Sequence, residues 1–339
     1  MIKVAVVGAG HWGPNLVRSF RENPSSWIEY VCDTNKGRCD ILSENYPEVQ
    51  VISDYKTILS DADIDAVILS TPTDTHYSLG MMAIEAGKHL MVEKPLSVTG
   101  TKCKEMIDAA AAKDIVLFTG HIFKYNPGIR KVKEIIDSGE LGEIRYITMR
   151  RTNIGPVRHD VSAMWDLAPH DISILSYWLE NQPLSVSAME GRFLHATKAD
   201  MAILNFKFPD NILATIHVSW LHPRKTREIV VVAEKKMLVW DDLNLDEPVR
   251  IFEKRIEEGV SEVVDTFTNF YLSIKASEVV FAPQVEHSQP LAEECAHFIE
   301  CIEEGKRPLP DGVDGLNVVN ILQAADRSVS QASRMVDID

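Results

Sequence analysis

Gly8-Ala9-Gly10-His11-Trp12-Gly13 is the stretch that decides the fold, because it follows the apolar run 2–7 and precedes a helix-compatible stretch. This is the G-x-G-x-x-G spacing between a predicted strand and a predicted helix, the setting in which the motif binds a dinucleotide. The first glycine permits a tight turn, the second lets the backbone approach a pyrophosphate, and the third lets the helix lie close to the strand. The free N–H groups at the helix start favour the phosphates. We predict that these residues bind a dinucleotide cofactor: Gly8, Gly10, His11, Trp12 and Gly13.

A carboxylate follows at the distance that a dinucleotide-binding unit needs. The apolar run 28–32 is a second predicted strand, and Asp33 ends it, twenty residues past Gly13. A carboxylate there accepts the ribose hydroxyls of the adenosine half and repels a 2′-phosphate. We therefore expect NAD rather than NADP, with Asp33 and Thr34 as cofactor contacts. A glycine-rich turn followed by a surface aspartate is the alternative.

Length and composition indicate an ordinary globular chain with an acidic balance. The chain has 339 residues, enough for two domains, of which 45% are hydrophobic and 25% charged, and its formal net charge is −15. This charge argues against a nucleic-acid partner and against anionic membranes. No apolar run is long enough to span a bilayer, and the N-terminus enters a core strand directly, so we expect no signal peptide. Five scattered cysteines without metal-ligand spacing predict reduced cytoplasmic thiols and no metal site.

Predicted strands and helices alternate through the first 120 residues. This alternation predicts an α/β Rossmann domain with a doubly wound parallel sheet, whose ligands bind at the carboxyl ends of the strands. Two further strands end at Thr71-Pro72 and at Glu93-Lys94-Pro95. These ends should line one crevice with the glycine motif, which gives further predicted cofactor contacts: Thr71, Pro72, His76, Glu93 and Lys94.

Lys94 also suggests chemistry of its own. A lysine at a strand end, beside the nicotinamide half of a cofactor, can donate to a substrate oxygen and stabilise a developing alkoxide. Pro95 stops the strand and fixes the turn that presents the lysine. A solvated turn lysine is the alternative, and the spacing leaves both open.

The pattern changes from residue 121 onward. Consecutive predicted strands with short turns favour an antiparallel sheet. We therefore predict two domains: the dinucleotide-binding domain over residues 1–120, and an α+β domain with a mostly antiparallel sheet over residues 121–339. The second domain would include helical stretches at 290–304 and 313–335.

The stretch 165–172 (WDLAPHDI) is the chemical centre of this second half. Pro169 suits the first turn of a helix, which would place His170 in that turn and Asp166 just before it. The positive end of the helix dipole would keep His170 neutral and able to accept a proton, and Asp166 would orient the ring. A capping aspartate and a buried histidine are the alternative.

Three motifs carry a family resemblance: 8–13 (GAGHWG), 71–76 (TPTDTH) and 86–96 (AGKHLMVEKPL). Over nearly its whole length the chain resembles the glucose–fructose oxidoreductase / inositol dehydrogenase family (Gfo/Idh/MocA). The resemblance implies an NAD(P)-dependent oxidoreductase acting on a sugar or polyol, with Lys94, Asp166 and His170 as catalytic residues. Ala168 stands where many members carry glycine. The resemblance also implies that the second domain has a large open sheet, binds the substrate and forms a homodimer or homotetramer through this C-terminal sheet.

Residues 151–171 resemble the branch of this family that oxidises sugars on nucleotide diphosphates. There the C3 hydroxyl of a UDP-linked N-acetylhexosamine, or of its uronic acid, becomes a ketone. Arg150, Arg151 and Arg158 are a local excess of cation, and arginine forks bind phosphate; solvated arginines are the alternative. The expected substrate contacts are Lys94, Tyr125, Asn126, Arg158 and His170.

Three functions follow as hypotheses. The first is a sugar-nucleotide 3-dehydrogenase, in which His170 takes the hydroxyl proton, Lys94 holds the oxygen and nicotinamide receives the hydride. The second is a free sugar or inositol dehydrogenase on the same fold. The third is a non-catalytic NAD-sensing regulator, which the fold alone does not exclude. The joint presence of Lys94, Asp166 and His170 speaks against this third function.

Overall fold

The computed structural model describes residues 1–155, 157–158, 160–194, 196–254 and 276–338. The chain forms two compact units, Met1–Asn126 with Ser288–Gln323 and Pro127–His287 with Ala324–Asp339, which we call the first and the second unit. The domain bounds of 1–120 and 121–339 remain predictions. The first unit takes in a late segment, 288–323, that the sequence analysis assigned to the second domain.

Parallel strands alone form the sheet of the first unit. Its described strands are β1 (Ile2–Val7), β2 (Ser26–Cys32), β3 (Gln50–Ile52), β4 (Ala66–Leu69), β5 (His89–Glu93) and β6 (Leu117–Gly120). Their order is β3-β2-β1-β4-β5-β6, so the chain reverses its direction of growth between β1 and β4. The predicted doubly wound sheet is confirmed, and this reversal is the point at which such sheets bind ligands.

The described helices are numbered in the order of the chain. They are α1 (Gly13–Glu22), α2 (Lys36–Asn45), α3 (Tyr55–Ser60), α4 (His76–Glu85), α5 (Gly100–Ala112), α6 (Pro127–Asp137), α7 (Ala163–Leu179), α8 (Pro290–Glu304) and α9 (Gly312–Ser330). Short 3₁₀ turns stand at Thr73–Thr75, Ile122–Tyr125 and Pro209–Asn211.

Helix α8 completes the core of the first unit. It packs against α1 and against the 3₁₀ turn Ile122–Tyr125. Its apolar side chains join one buried cluster with residues of β1 and α1; the members from these elements are Val4, Val6, Leu16, Val17, Phe20, Cys295, Phe298 and Ile299. Further on, Thr119 in β6 donates its backbone N–H to the Pro310 carbonyl at 2.7 Å. The segment 288–323 is thus part of this Rossmann core.

The second unit contains a nine-stranded sheet among its described residues. Its strands are β7 (Ile144–Ile154), β8 (Ser185–Gly191), β9 (Met201–Lys207), β10 (Leu213–Ser219), β11 (Leu221–Ala233), β12 (Met237–Asp241), β13 (Val249–Lys254), β14 (Ala276–Phe281) and β15 (Val336–Asp337). Their order is β14-β13-β12-β11-β7-β10-β9-β8-β15. The pair β7/β10 is parallel and the other pairs are antiparallel. The predicted mostly antiparallel sheet is confirmed.

Strand β11 is longer than the pattern of the sequence indicates. Residues 228–232 (EIVVV) are typical of a strand, but the observed strand starts at Leu221. Pro223 has no N–H for a sheet ladder, so its presence argues against a strand. The register shifts between Leu221 and Thr226, and this irregularity accommodates the proline.

Helix α7 packs on strands β7, β9 and β10. Along β7 the side chains alternate accordingly: Ile147, Met149 and Arg151 are buried, whereas Thr148 and Arg150 are exposed. Arg150 and Arg151 therefore lie on opposite faces of the sheet.

Candidate active site

The three glycines of the loop between β1 and α1 have different surroundings. Gly8 has φ +100°, and a Cβ added to it would lie 2.7 Å from the Ser70 carbonyl group. A Cβ on Gly13 would overlap the Gly8 carbonyl oxygen, whereas the one described atom that a Cβ on Gly10 would meet is Arg38 Nη1, at 3.8 Å. The first and third glycines are therefore required by the protein itself, and the second faces open space, as a pyrophosphate site needs.

The start of α1 is chemically suited to an anion. Trp12 occupies the N-cap position without a side-chain cap, and the first turn contains no acidic residue. The first N–H groups of the helix and its positive dipole end are thus unopposed by a carboxylate. His11 beside it is exposed, and the buried Trp12 Nε1 makes no hydrogen bond to the described residues. The loop fits a dinucleotide phosphate.

Asp33 fastens the glycine loop to the end of β2. Its Oδ2 accepts the Ala9 N–H and its Oδ1 accepts the Asn35 N–H, each at 2.7 Å. Arg38 Nη1 lies 3.5 Å from the same Oδ2. Asp33 is 7% exposed, and each carboxylate oxygen keeps a second lone pair for a ribose hydroxyl. Thr34, the next residue, is exposed.

His76 connects the loop after β4 to the loop after β5. The ring is 1% exposed, and Nδ1 lies 2.9 Å from the Pro95 carbonyl while Nε2 lies 2.9 Å from the Thr71 carbonyl. Thr71 also accepts a hydrogen bond from Thr75 through its hydroxyl, at 2.7 Å, and Pro72 is exposed. His76 thus holds backbone in place, and its direct contact with a cofactor remains a prediction.

Glu93 and Lys94 stand at the carboxyl end of β5, as the sequence predicts. Glu93 Oε2 accepts the Lys94 N–H at 3.3 Å, and the Lys94–Pro95 peptide is cis. A Cβ on Gly120 would lie 3.2 Å from the Glu93 carboxylate, so the carboxylate lies directly over β6. Lys94 is half-buried. The glycine loop, Asp33, Thr71 and Lys94 therefore share the edge of the sheet at which ligands bind.

Tyr125 lies in the interior of the first unit. Its hydroxyl is hydrogen-bonded to His297 Nδ1 at 2.6 Å, and its ring stacks on Phe118 at a centroid distance of 6.4 Å. Tyr125 is buried and Asn126 half-buried. That Tyr125 and Asn126 contact the substrate remains a prediction.

Two buried titratable groups near Lys94 were not predicted from the sequence. His121 is 0% exposed, neither ring nitrogen has a hydrogen-bond partner among the described residues, and burial with the charges of Lys124 and Lys94 lowers its pKa to about 3. Burial, and then the charge of Glu93, raises the pKa of Glu294 on α8. Neither residue stands in a sequence motif, so no local pattern marks it.

The helix that carries Asp166 and His170 begins earlier than predicted. It starts at Ala163, and the Ser162 hydroxyl caps it by accepting the Trp165 N–H at 3.4 Å. Pro169 lies inside the helix, so the predicted start near this proline is wrong. The serine cap sets the start, and Pro169 removes one internal donor without ending the helix.

This start changes the electrostatics expected for the pair. Asp166 is in the first turn, where the helix dipole stabilises a carboxylate, and His170 lies one turn further along on the same face. The effect of the helix dipole falls off within the first turn, so the dipole does not keep His170 neutral. Ala168 is buried in the helix interior, where alanine is favourable.

Two donors hold the Asp166 carboxylate. Arg158 Nη1 lies 3.0 Å from Oδ1, and Trp220 Nε1 lies 3.3 Å from Oδ2. Arg158 Nε also donates to Asp160 Oδ1 at 2.9 Å. Burial opposes the charge of Arg158, but the Asp160 hydrogen bond and the nearby Asp166 charge outweigh it and raise the pKa of Arg158. The sequence marked Arg158 and Asp166 separately but not their contact, and it missed Trp220.

The three arginines 150, 151 and 158 do not form one cluster. Arg151 is 4% exposed and donates from Nη2 to Asp171 Oδ1 at 2.7 Å and from Nε to Oδ2 at 3.2 Å. Arg150 lies on the opposite face of β7, and Arg158 is paired with Asp160 and Asp166. His159, which follows Arg158 in the chain, lies outside the described residues.

The described residues contain neither a metal-binding cluster nor a membrane-spanning helix. No three His, Cys, Asp or Glu side chains in the described part of the chain are grouped so that they could bind a metal ion. None of the described helices has the length and apolarity that crossing a membrane requires.

Comparison with known proteins gives matches over most of the chain. The Gfo/Idh/MocA model described as an oxidoreductase family with an NAD-binding Rossmann fold matches residues 2–121, and the model of the Gfo/Idh/MocA C-terminal domain matches residues 129–239. The scyllo-inositol 2-dehydrogenase (NAD(+)) of Bacillus subtilis is 26% identical, with 96% of this chain and 94% of that protein covered. The uncharacterized oxidoreductase YrbE of the same organism is 24% identical, with 97% and 94% covered.

Solved structures with the same fold include the UDP-N-acetylglucosamine 3-dehydrogenase GnnA of Acidithiobacillus ferrooxidans. The TM-score is 0.82 at 22% identity, with 98% of this chain and 99% of that chain covered. At this identity the likeness concerns the fold.

Proposed function

The chain belongs to the Gfo/Idh/MocA family of NAD-binding oxidoreductases, and we propose that it oxidises one secondary hydroxyl of a sugar or cyclic polyol. The observation that carries the proposal is the set of residues at two positions: Lys94 at the carboxyl end of β5, and Asp166 with His170 one turn apart on α7. A non-catalytic NAD sensor has no need of this set.

The cofactor proposed is NAD rather than NADP. Asp33 is held beside the glycine loop by the Ala9 N–H, where its charge disfavours a 2′-phosphate. The glycine loop and the start of α1 would hold the pyrophosphate. When bound, NAD supplies the hydride acceptor.

The protein residues supply proton transfer and charge. His170 takes the proton of the substrate hydroxyl as general base. Lys94 donates to the same oxygen and stabilises its alkoxide character. Asp166, fixed by Arg158 and Trp220, stabilises the imidazolium once it forms.

Two substrate classes remain, and each has one observation in its favour. The C3 hydroxyl of a UDP-linked N-acetylhexosamine, or of its uronic acid, is supported by the sequence of residues 151–171. A free sugar or inositol is supported by the pairing of Arg151 and Arg158 with carboxylates, which disfavours a diphosphate site formed by these two arginines. The scyllo-inositol 2-dehydrogenase of Bacillus subtilis, a relative along nearly the whole chain, acts on a substrate of the second class.

The assembly proposed is a homodimer or homotetramer through the face of the sheet opposite α7. Tyr146 on β7, Leu213 on β10 and Met189 on β8 are exposed on one face, since β7 and β10 pair at Tyr146 and Leu213. The five cysteines are all free thiols, which supports the proposed cytoplasmic location.

The deciding experiment measures NADH formation by the full chain with NAD and matched substrates. UDP-N-acetylglucosamine and its uronic acid are compared with N-acetylglucosamine, glucose and the inositols, with and without 2-oxoglutarate to reoxidise a retained cofactor. Turnover confined to the UDP-sugars supports the first class, and turnover confined to free sugars or inositols supports the second. Binding of NADH with no turnover of any substrate contradicts the dehydrogenase proposal in both forms.

A further inference from the structure

We propose that Arg158 is a positioning residue that fixes the Asp166 carboxylate at the start of α7 and tempers its charge toward His170. The inference rests on the proposed dehydrogenase function and deepens it. It gives Arg158 a role other than the phosphate contact expected from the sequence.

Both oxygens of the Asp166 carboxylate accept a hydrogen bond. Arg158 Nη1 lies 3.0 Å from Oδ1, and Trp220 Nε1 lies 3.3 Å from Oδ2. The arginine follows β7 in the chain, and the tryptophan lies between β10 and β11, so the two donors come from separate segments of the chain. Donors on both oxygens fix the plane of the carboxylate, which one hydrogen bond alone does not.

Arg158 is itself held in place by Asp160. Its Nε donates to Asp160 Oδ1 at 2.9 Å, and its Nη2 also contacts the Asp160 carboxylate. A guanidinium has five N–H donors in a rigid fork. With one edge bound to Asp160, Nη1 on the other edge is directed at Asp166. The charge of Lys198 also acts on Asp160.

The charge of Arg158 is already engaged by carboxylates. The one guanidinium pairs with both Asp160 and Asp166. An incoming diphosphate would have to displace both carboxylates and would be repelled by them. The arginine is therefore better placed to serve the carboxylate than a substrate phosphate.

The consequence for His170 follows from its place one turn after Asp166. An unneutralised Asp166 would favour the imidazolium strongly and would withdraw the neutral base from the neutral pH range. By sharing the charge of Asp166, Arg158 leaves His170 able to take a proton. Loss of Arg158 should thus move the acidic limb of the pH–activity profile to higher pH.

The experiment compares Arg158→Gln, Arg158→Lys and Arg145→Gln with the wild-type chain over a range of pH. Arg145 is the matched control, because it is an exposed arginine on β7 that pairs only loosely, at 3.6 Å, with Glu143. For Arg158→Gln we expect kcat to fall about 10-fold to 100-fold with every substrate that the wild type oxidises, with KM nearly unchanged and the acidic limb at higher pH. Arg158→Lys should restore part of the activity, and Arg145→Gln should match the wild type.

Two results would overturn the proposal. One is a rise in KM confined to phosphate-bearing substrates with an unmoved acidic limb, which is the behaviour of a substrate contact. The other comes from thermal unfolding of Arg158→Gln, Asp166→Asn and the double variant, a readout independent of activity. We expect the Tm loss of the double variant to be smaller than the sum of the single losses, and additive losses mean that the two residues do not interact. If the wild type binds NADH but oxidises nothing, the proposed function fails while this cycle still decides the contact.

Discussion

The two chemically important regions of this chain are built in different ways. In the first unit, backbone makes the site: glycines, strand ends and N–H groups surround Asp33 and Lys94 at the carboxyl edge of a parallel sheet. In the second unit, side chains make it, since Asp166 and Asp171 on one helix each bind an arginine from β7 or from the segment after it. A site that the backbone makes therefore depends on local spacing, whereas a site that side chains make depends on partners far apart in sequence.

The largest effect should come from breaking the buried pair of the second unit. Asp171→Ala removes the carboxylate that neutralises the buried Arg151 guanidinium, so we expect a loss of about 3–5 kcal/mol in the free energy of unfolding. Denaturant unfolding measures it. Asp108→Ala is the control, because the Asp108–Lys104 pair is exposed and should contribute less than about 1 kcal/mol. Equal losses in the two variants would remove the contrast between the regions.

Lys94→Ala tests the backbone-built site for chemistry. Loss of the donor to the substrate oxygen should lower kcat/KM about 10²-fold to 10³-fold, with NADH still bound. NADH formation and NADH fluorescence titration measure the two properties. Lys104→Ala, an exposed lysine on α5, is the matched control. A Lys94→Ala variant with full activity would contradict the catalytic role of Lys94 and favour the hypothesis of an NAD-sensing regulator.

Gly13→Ala and Gly10→Ala sharpen the account of the glycine loop. A Cβ on Gly13 overlaps the Gly8 carbonyl, so we expect a loss of about 1–3 kcal/mol in the free energy of unfolding. Gly10→Ala has room in the protein and should leave stability almost unchanged while weakening NADH binding. Thermal unfolding with and without NADH separates the two. The explanation fails if both variants lose the same stability.

The pH dependence of stability tests the buried groups near Lys94. The pKa of His121 is about 3 in the folded chain and near 6.5 when unfolded, so the unfolded chain binds more protons as the pH falls between these values. Stability is full above pH 6.5 and is lost toward pH 3, by about 2 kcal/mol between pH 6.5 and pH 5. Unfolding of the wild type and of His121→Asn at several pH values measures it. An unchanged slope in the variant would assign the loss to other groups.

The smallest effect concerns cofactor choice. Asp33→Ser removes the carboxylate that disfavours a 2′-phosphate and leaves Arg38 beside the ribose position, so the preference for NAD over NADP should fall by about tenfold. The ratio of kcat/KM for the two cofactors measures it. The double variant Asp33→Ser, Arg38→Ala should lose affinity for NADP again, and no difference between the two variants would exclude Arg38 from the site.

The same contrast explains how far the sequence predicts this molecule. Residues 2–33 predict a strand, a glycine turn, a helix and a carboxylate, and the structure contains them, because each depends on neighbours a few positions away. The start of α7 was wrong because Pro169 is tolerated inside a helix whose cap, Ser162, lies seven residues earlier. The pairs Arg151–Asp171 and Arg158–Asp166 were missed because composition shows charges but not their partners.

The late segment of the first unit bears on how the chain is made. Phe298 and Ile299 on α8 belong to the same buried cluster as Val4 and Phe20, and Thr119 bonds to the Pro310 carbonyl. A ribosome makes the N-terminal strands first, so the Rossmann core stays open, with apolar surface uncovered, until almost the entire polypeptide has emerged. The second sheet is synthesised in the meantime. The apolar surface of the N-terminal strands is therefore exposed to aggregation while the second sheet is translated.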